Sequence, residues 1–311
     1  MKVAFFTEGG YTGKVPREHP NIRTDLAWIC ALEADHIPIP HIQSIPDQKY
    51  DLGILIIPKN KEHLFEFPLV ENMRRTCNKV ATMQESSYWY WQDGSIQAQL
   101  WYHSILQSMD IIFCHNDADL KYYKGITDVR CELLPTLMIT DNIKEYEGER
   151  KGVIVGGNWV SAYRGFDSYV IGKILDDNIS AITTGRMKPE EKLLDINHIP
   201  WMNWIDFIYE LSKHKYGVQL GTAAAGTFNL NCAYLGIPCI SYETINTQKY
   251  LHPQLTVDDG DIEQARKLAT KLASDEDFYK ECSNQARENY NKLYSEQQFV
   301  KYIKDLNLNE L

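Results

Sequence analysis

Tyr216-Gly217-Val218-Gln219-Leu220-Gly221-Thr222-Ala223-Ala224-Ala225-Gly226-Thr227-Phe228-Asn229-Leu230-Asn231-Cys232-Ala233-Tyr234-Leu235-Gly236-Ile237-Pro238 is the stretch on which the fold turns. A strand ends in a run of small residues, a helix starts near Gly226-Thr227, and Gly236-x-Pro238 stops it. Small residues let a backbone approach a ligand closely, and the free N–H groups of a helix start bind phosphate. The same glycines also suit a tight strand-to-helix turn with close packing of the helix on its sheet, so they do not by themselves decide between ligand and structure.

Outward from this turn the second half alternates short apolar strands with amphipathic helices. Strands are expected at Gly152–Val155, Ser180–Thr183, Tyr216–Leu220 and Pro238–Ser241, and helices at Phe166–Leu175, Trp204–His214 and Phe228–Leu235. Helices Asp261–Ala273 and Asp277–Leu293 follow, then a tail Glu296–Leu306. The first half repeats the pattern, with strands at Val3–Thr7, Leu52–Ile57, Val80–Met83, Ile111–Cys114 and Arg130–Leu134 and helices at Thr24–Glu33 and Ile96–Ser108. Strands alternating with helices predict βαβ units and parallel sheets, and near-continuous apolar strands predict sheets covered on both faces. The polar stretch Thr140–Arg150 divides the halves. The expected fold class is therefore α/β, two Rossmann-like domains facing across a cleft: residues 1–145 and residues 146–295, with a tail over 296–311 set off by Tyr294-Ser295, which breaks the pattern after a long helix. Ligands bind beyond the carboxyl ends of the strands in such sheets.

Composition bounds the partners. The 32 basic and 42 acidic residues leave a formal charge of −10, which opposes a broad nucleic-acid face, although a local basic loop can offset it. The seven cysteines are scattered without a C-x-x-C pair, which argues against zinc ribbons and fits a reducing cytoplasm. No histidine, cysteine or carboxylate cluster has metal-ligand spacing, and there is no Gly-x-Ser-x-Gly elbow. The apolar start Val3–Phe6 is too short for a signal peptide, and no run approaches the roughly 20 residues of a membrane span, so a soluble cytoplasmic protein is expected.

The order Gly152–Asn158, Tyr163-Arg164-Gly165-Phe166-Asp167, a strand ending Thr183-Thr184-Gly185-Arg186, the Trp201–His214 segment and then the small-residue turn resembles the C-terminal domain of GT-B glycosyltransferases, especially the retaining, sucrose-synthase-like group. The resemblance is clear over about residues 150–295 and looser before it, and it implies that the tail over 296–311 is a terminal helix returning to the first domain. It implies a nucleotide diphosphate sugar, a UDP-sugar above all, as co-substrate, with no bound metal and no other cofactor. Arg164 would meet the donor diphosphate and contribute to catalysis, the Ala225-Gly226-Thr227 turn would donate N–H groups, and Gly10, Asn158, Arg186 and Asn231 would complete the donor site. Three positions depart from the group's pattern. Asn158 stands where a cation is usual, Ala223 where an acidic residue opens the turn, and Asn231 where a helix glutamate accepts from the donor ribose. An amide is the weaker, uncharged acceptor.

In the first half the loop Thr7-Glu8-Gly9-Gly10-Tyr11-Thr12-Gly13-Lys14-Val15-Pro16-Arg17 follows the opening strand, and by resemblance faces donor phosphates and acceptor. It lacks the spacing and the Ser/Thr of a Walker loop. Lys14, Arg17 and Arg23 give it positive charge and are candidate acceptor-binding residues; the alternative is a solvated loop with ordinary surface charges. Met83-Gln84-Glu85 ends another strand, and Glu85 is a candidate base for an acceptor hydroxyl if the reaction inverts. The aromatic run Tyr88-Trp89-Tyr90-Trp91-Gln92-Asp93 offers Trp91 as a stacking surface and Asp93 as an acceptor contact, although for any one ring a place in the core or a domain interface is the better reading. His115 is either a catalytic residue of the cleft or the neighbour of a helix cap at Asn116 or Asp117.

The first half, with Trp-Gln-Asp before a helix and His-Asn-x-x-Asp before Tyr122-Tyr123-x-Gly125, looks like glycosyltransferases of tailed phages and marine microbes. That resemblance implies either a glycan or a hydroxymethylated base of phage DNA as acceptor. A catalytically inactive nucleotide- or sugar-binding protein of the same shape is the rival reading, motivated by Asn158, Ala223 and Asn231.

Overall fold

The computed structural model describes residues 1–9, 11–57, 64–84, 87–92, 94–157, 165–182, 189–221 and 225–307. The chain divides into two compact units, Met1–Pro135 with Glu296–Leu311, and Thr136–Ser295.

The first unit runs β1 (Val3–Thr7), α1 (Asp25–Ala31), β2 (Asp35–Pro38), β3 (Tyr50–Ile57), α2 (Leu69–Thr76), β4 (Cys77–Gln84), α3 (Ile96–Gln107), β5 (Ile111–Cys114), α4 (Asp117–Ile126) and β6 (Arg130–Leu133). Its strands lie parallel in the order β2-β1-β3-β4-β5-β6. All of β1 is buried, as a strand without polar alternation must be when both faces of its sheet are covered.

The second unit runs β7 (Val153–Val155), α5 (Phe166–Leu175), β8 (Ile179–Ile182), β9 (Asn197–Ile199), α6 (Trp204–Leu211), β10 (Tyr216–Gln219), α7 (Thr227–Leu235), β11 (Cys239–Tyr242), α8 (Asn246–Leu251), β12 (Thr256–Val257), α9 (Ile262–Ser274) and α10 (Glu276–Asn289). Its parallel strands are ordered β12-β11-β10-β7-β8-β9. One core, around Ile171, Leu175 and Leu272, covers one sheet face, and another, around Phe228, Leu230 and Trp204, covers the other.

After α10 the helix widens into a π turn over Tyr290–Tyr294, so the single long helix expected to Leu293 is broken there. The following α11 (Glu296–Asp305) belongs to the first unit and buries Phe299 and Ile303 in it. Arg17 donates to both carboxylate oxygens of Glu296, at 2.9 and 2.8 Å, and Arg130 donates to the Leu306 carbonyl at 3.0 Å. Among the described residues no helix is long and apolar enough to cross a membrane.

Candidate functional site

In the second sheet the chain steps outward from β7 through β8 and β9, then crosses to β10 and steps outward the other way through β11 and β12. The reversal lies between β7 and β10, and the ends of such a strand pair are where open α/β sheets bind ligands. Gly156 follows β7, and its N–H donates to the Val218 carbonyl at 2.9 Å. A β-carbon on Gly156 would lie 2.6 Å from the Phe228 ring, so glycine is what allows α7 to close on the sheet here. Just after β10 the Leu220 N–H donates to the Ser168 hydroxyl in the first turn of α5 at 2.8 Å, tying the start of that helix to the same strand end.

Helices α5 and α7 start at Gly165 and Gly226, neither with a side-chain cap. Asn203, Asp261 and Asp275 cap α6, α9 and α10 with their side chains; the short α8 has no such cap. Uncapped first turns leave backbone N–H groups available to an anion. Gly226 holds φ 64, ψ 31, in the left-handed region. Its carbonyl accepts from the Thr247 hydroxyl at 2.8 Å. Gln248 then donates to the carbonyls of Cys239 and Leu255 at 2.8 and 3.0 Å and accepts from Asn229 at 2.9 Å, so α8 fixes the first turn of α7 from behind.

Of the donor-site candidates, Ala225, Gly226, Thr227 and Asn231 come together on this turn and helix. Gly226 is buried, Ala225 and Thr227 half-buried, and Asn231 buried four residues into α7. Asn158, Arg164 and Arg186 lie outside the described residues, as do Thr222, Ala223 and Ala224.

In the first unit, His36 ties down both ends of the glycine loop. Its Nε2 meets the Thr7 hydroxyl at 2.7 Å, its Nδ1 donates to the Tyr11 carbonyl, and its backbone bridges Gly13 at 2.8 and 2.9 Å. The cations of the loop are engaged within the unit: Lys14 pairs with Asp35 at 3.2 Å and donates to the Glu33 carbonyl, and Arg17 holds Glu296. Arg23 is exposed, followed by Thr24 at φ 54, ψ −116, a costly conformation for a β-branched residue. Beside it burial pushes the Asp25 carboxyl up, partly offset by the backbone N–H of Leu26 and by His36 and Arg23.

His115 follows β5, 7% exposed and stacked on Trp28 with ring centroids 5.6 Å apart. Burial pushes its pKa down to about 4, partly offset by the backbone of Gln84, so it is neutral at pH 7 and its Nδ1 has no hydrogen-bond partner. The helix cap is Asn116, which accepts from the Asp119 N–H at 2.8 Å. Trp91 is corrected to a core residue: it is 3% exposed and its ring stacks on Tyr102 at 4.0 Å and Trp101 at 6.1 Å, which leaves no face for a sugar or base. Gly10, Glu85 and Asp93 lie outside the described residues.

Sequence reasoning passed over His36, Asp25 and Gln219. His36 and Asp25 sit in segments that read as loop and helix start. The signal for Gln219 was a carboxamide inside an otherwise apolar strand.

No family model and no curated protein matches the sequence. Solved structures do resemble it. Sucrose-phosphate synthase from Thermosynechococcus elongatus is 10% identical, with a TM-score of 0.70 over 98% of both chains. HepE from Anabaena, crystallised with UDP-glucose, is 9% identical, with a TM-score of 0.70 over 100% of both. A trehalose-6-phosphate synthase, studied for glycosyl transfer with retention, is 8% identical, with a TM-score of 0.64 over 99% of this chain and 93% of that one. With two parallel six-stranded sheets, each in its own unit, the chain has the GT-B fold of these glycosyltransferases.

Proposed function

We propose that the chain is a metal-independent glycosyltransferase that moves a sugar from a nucleotide diphosphate sugar, a UDP-sugar above all, to an acceptor hydroxyl, with retention. The second unit holds the donor and the first presents the acceptor. The observation that carries this reading is the pair of glycine-started, uncapped helices, α5 and α7, at the chain reversal between β7 and β10. Negative charge grows on the leaving diphosphate, and N–H groups and cations fixed in advance stabilise it without reorganising. Arg164, one residue before Gly165, supplies the cation, and Asn231 accepts from the ribose. HepE, of the same fold, holds UDP-glucose, which favours this class of donor. The cysteines are all buried free thiols, in keeping with a reducing cytoplasm.

Thermal shift against a panel of UDP-, GDP- and ADP-sugars tests the reading, followed by turnover with glycan and DNA acceptors. UDP-sugars are expected to raise the melting temperature, and Arg164→Ala to cost about 2–3 kcal/mol of donor interaction through the lost charge-assisted bond. A panel without any stabilising nucleotide sugar rejects the donor site. Donor binding without hydrolysis or transfer points to the inactive binding protein instead.

A glycan acceptor is favoured over DNA, because Lys14 and Arg17 already neutralise Asp35 and Glu296. Transfer to a neutral glycan is expected to change little with salt. A DNA acceptor would weaken with a slope near −0.9 per phosphate neutralised, and replacing Lys14, Arg17 and Arg23 together by alanine would flatten it.

A further inference from the structure

We infer that Gln219 is a further ligand-contacting and specificity-determining residue, its side-chain carbonyl accepting a hydrogen bond from a neutral O–H or N–H group of the nucleotide sugar. The inference rests on the donor-site reading above. Gln219 ends β10, one of the two strands between which the chain reverses direction. It is 4% exposed, and its Oε1 is buried without a hydrogen-bond partner. Its backbone carbonyl, by contrast, is fully used, accepting from the Ser241 hydroxyl and from the Gly221 N–H at 3.0 Å.

The pleat gives the direction of the side chain. A β-carbon on Gly217 would lie 3.0 Å from Cys232 Sγ and 3.5 Å from the Phe228 ring, both on α7. Successive side chains alternate between sheet faces, so Gln219, two residues on, leaves the strand on the same face, nearer the start of α7. A strand covered on both faces is normally filled there by valine or leucine. A buried acceptor with nothing to accept destabilises the unliganded protein, and polar groups left so in native interiors call for an explanation. A ligand that donates to Oε1 supplies one. The chemistry of that group is constrained as well: a carbonyl oxygen repels phosphate oxygens, so its partner is a sugar hydroxyl or a ring N–H and not the diphosphate. Asn229 Oδ1 and His252 Nδ1 are also unpartnered, but they lie inside the contact of α7 with α8 and not at a strand end.

The test compares wild type with Gln219→Leu and Gln219→Met, using UDP and UDP-glucose as probes. The unliganded melting temperature is expected to stay level or rise in both variants, because an orphaned acceptor has been removed. Affinity for UDP-glucose is expected to fall about tenfold or more. If the bond goes to a sugar hydroxyl, affinity for UDP is kept; if it goes to the base, affinity for both probes falls. Wild-type affinity for both probes in the variants overturns the inference while leaving the donor site standing. A lowered unliganded melting temperature overturns it too, by marking Gln219 as a structural residue. A wild type that responds to neither probe overturns the inference for a UDP-sugar, while the donor site itself stands or falls with the full nucleotide-sugar panel.

Discussion

Gly226→Ala is expected to lower the stability of the second unit by about 2–4 kcal/mol and to abolish its response to nucleotide sugars. Gly226 sits at φ 64, where a β-carbon meets its own carbonyl oxygen at a cost of about 1–2 kcal/mol. The added methyl would also lie 2.0 Å from the Thr247 hydroxyl oxygen and 2.5 Å from Ile245 Cγ2. Turning Thr247 away relieves the first clash but breaks its bond to the Gly226 carbonyl, a further loss of about 1 kcal/mol. Gly125, near the end of α4, is the matched control. A β-carbon there meets nothing within 4 Å, and alanine is the better helix former by about 1 kcal/mol or less. Urea unfolding of both variants, with UDP-glucose present and absent, separates the two cases. Equal behaviour of Gly226→Ala and wild type would remove the turn from the site.

Two buried groups in the first unit should push its acid stability in opposite directions. His115 is held neutral, with its pKa near 4 in the folded chain against about 6.5 when unfolded. As pH falls from 6.5 towards 4 the unfolded chain gains a proton that the folded chain refuses, so stability is lost through that window. Asp119 does the reverse. Burial raises its pKa to about 6, even though it accepts from the Tyr88 N–H at 3.1 Å and is bonded by Asn116. Between pH 6 and the ordinary carboxylate value of about 3.9 the folded chain holds a proton that the unfolded chain releases, so acid favours folding there. At pH 5 each group is worth about 1.5–2 kcal/mol. Relative to wild type, His115→Gln is therefore expected to gain stability between pH 7 and 5, and Asp119→Asn to lose it. Denaturation midpoints across this range check the pair, and parallel profiles would contradict both assignments.

The sheets were legible because their central strands are uninterrupted apolar runs, a pattern that only double burial explains. The edge strand β2 was not, because Asp35-His36-Ile37-Pro38 has neither alternation nor an apolar run, and its place comes from pairing with β1 and from the Gly13 bridge. Strand β9 was missed because Asn197-His198-Ile199 has no apolar run, β12 because it is two residues long, and α2 and α8 because Leu69–Thr76 and Asn246–Leu251 are mostly polar; the start of α4 was legible in its cap at Asn116. The small-residue turn was readable as a place where backbone must come close, but its support was not. Thr247 and Gln248 belong to a separate helix that reads as surface. Aromatic density gave no way to choose between core and ligand for Trp91, since stacking on Tyr102 and stacking on a sugar ask for the same ring. Charge has the same ambiguity. Arg17 reads as a free cation until Glu296, 279 residues away, is brought against it.

The placement of α11 makes the second unit an insertion within the first. During synthesis the ribosome delivers residues 136–295 as one unbroken piece, whose own strands and helices are then all available. The first unit, begun earlier, must wait until Phe299 and Ile303 emerge before its core is sealed. The first unit is therefore completed only once the whole intervening segment has been made, which ties the closing of its core to residues 296–307 and not to its own opening strands.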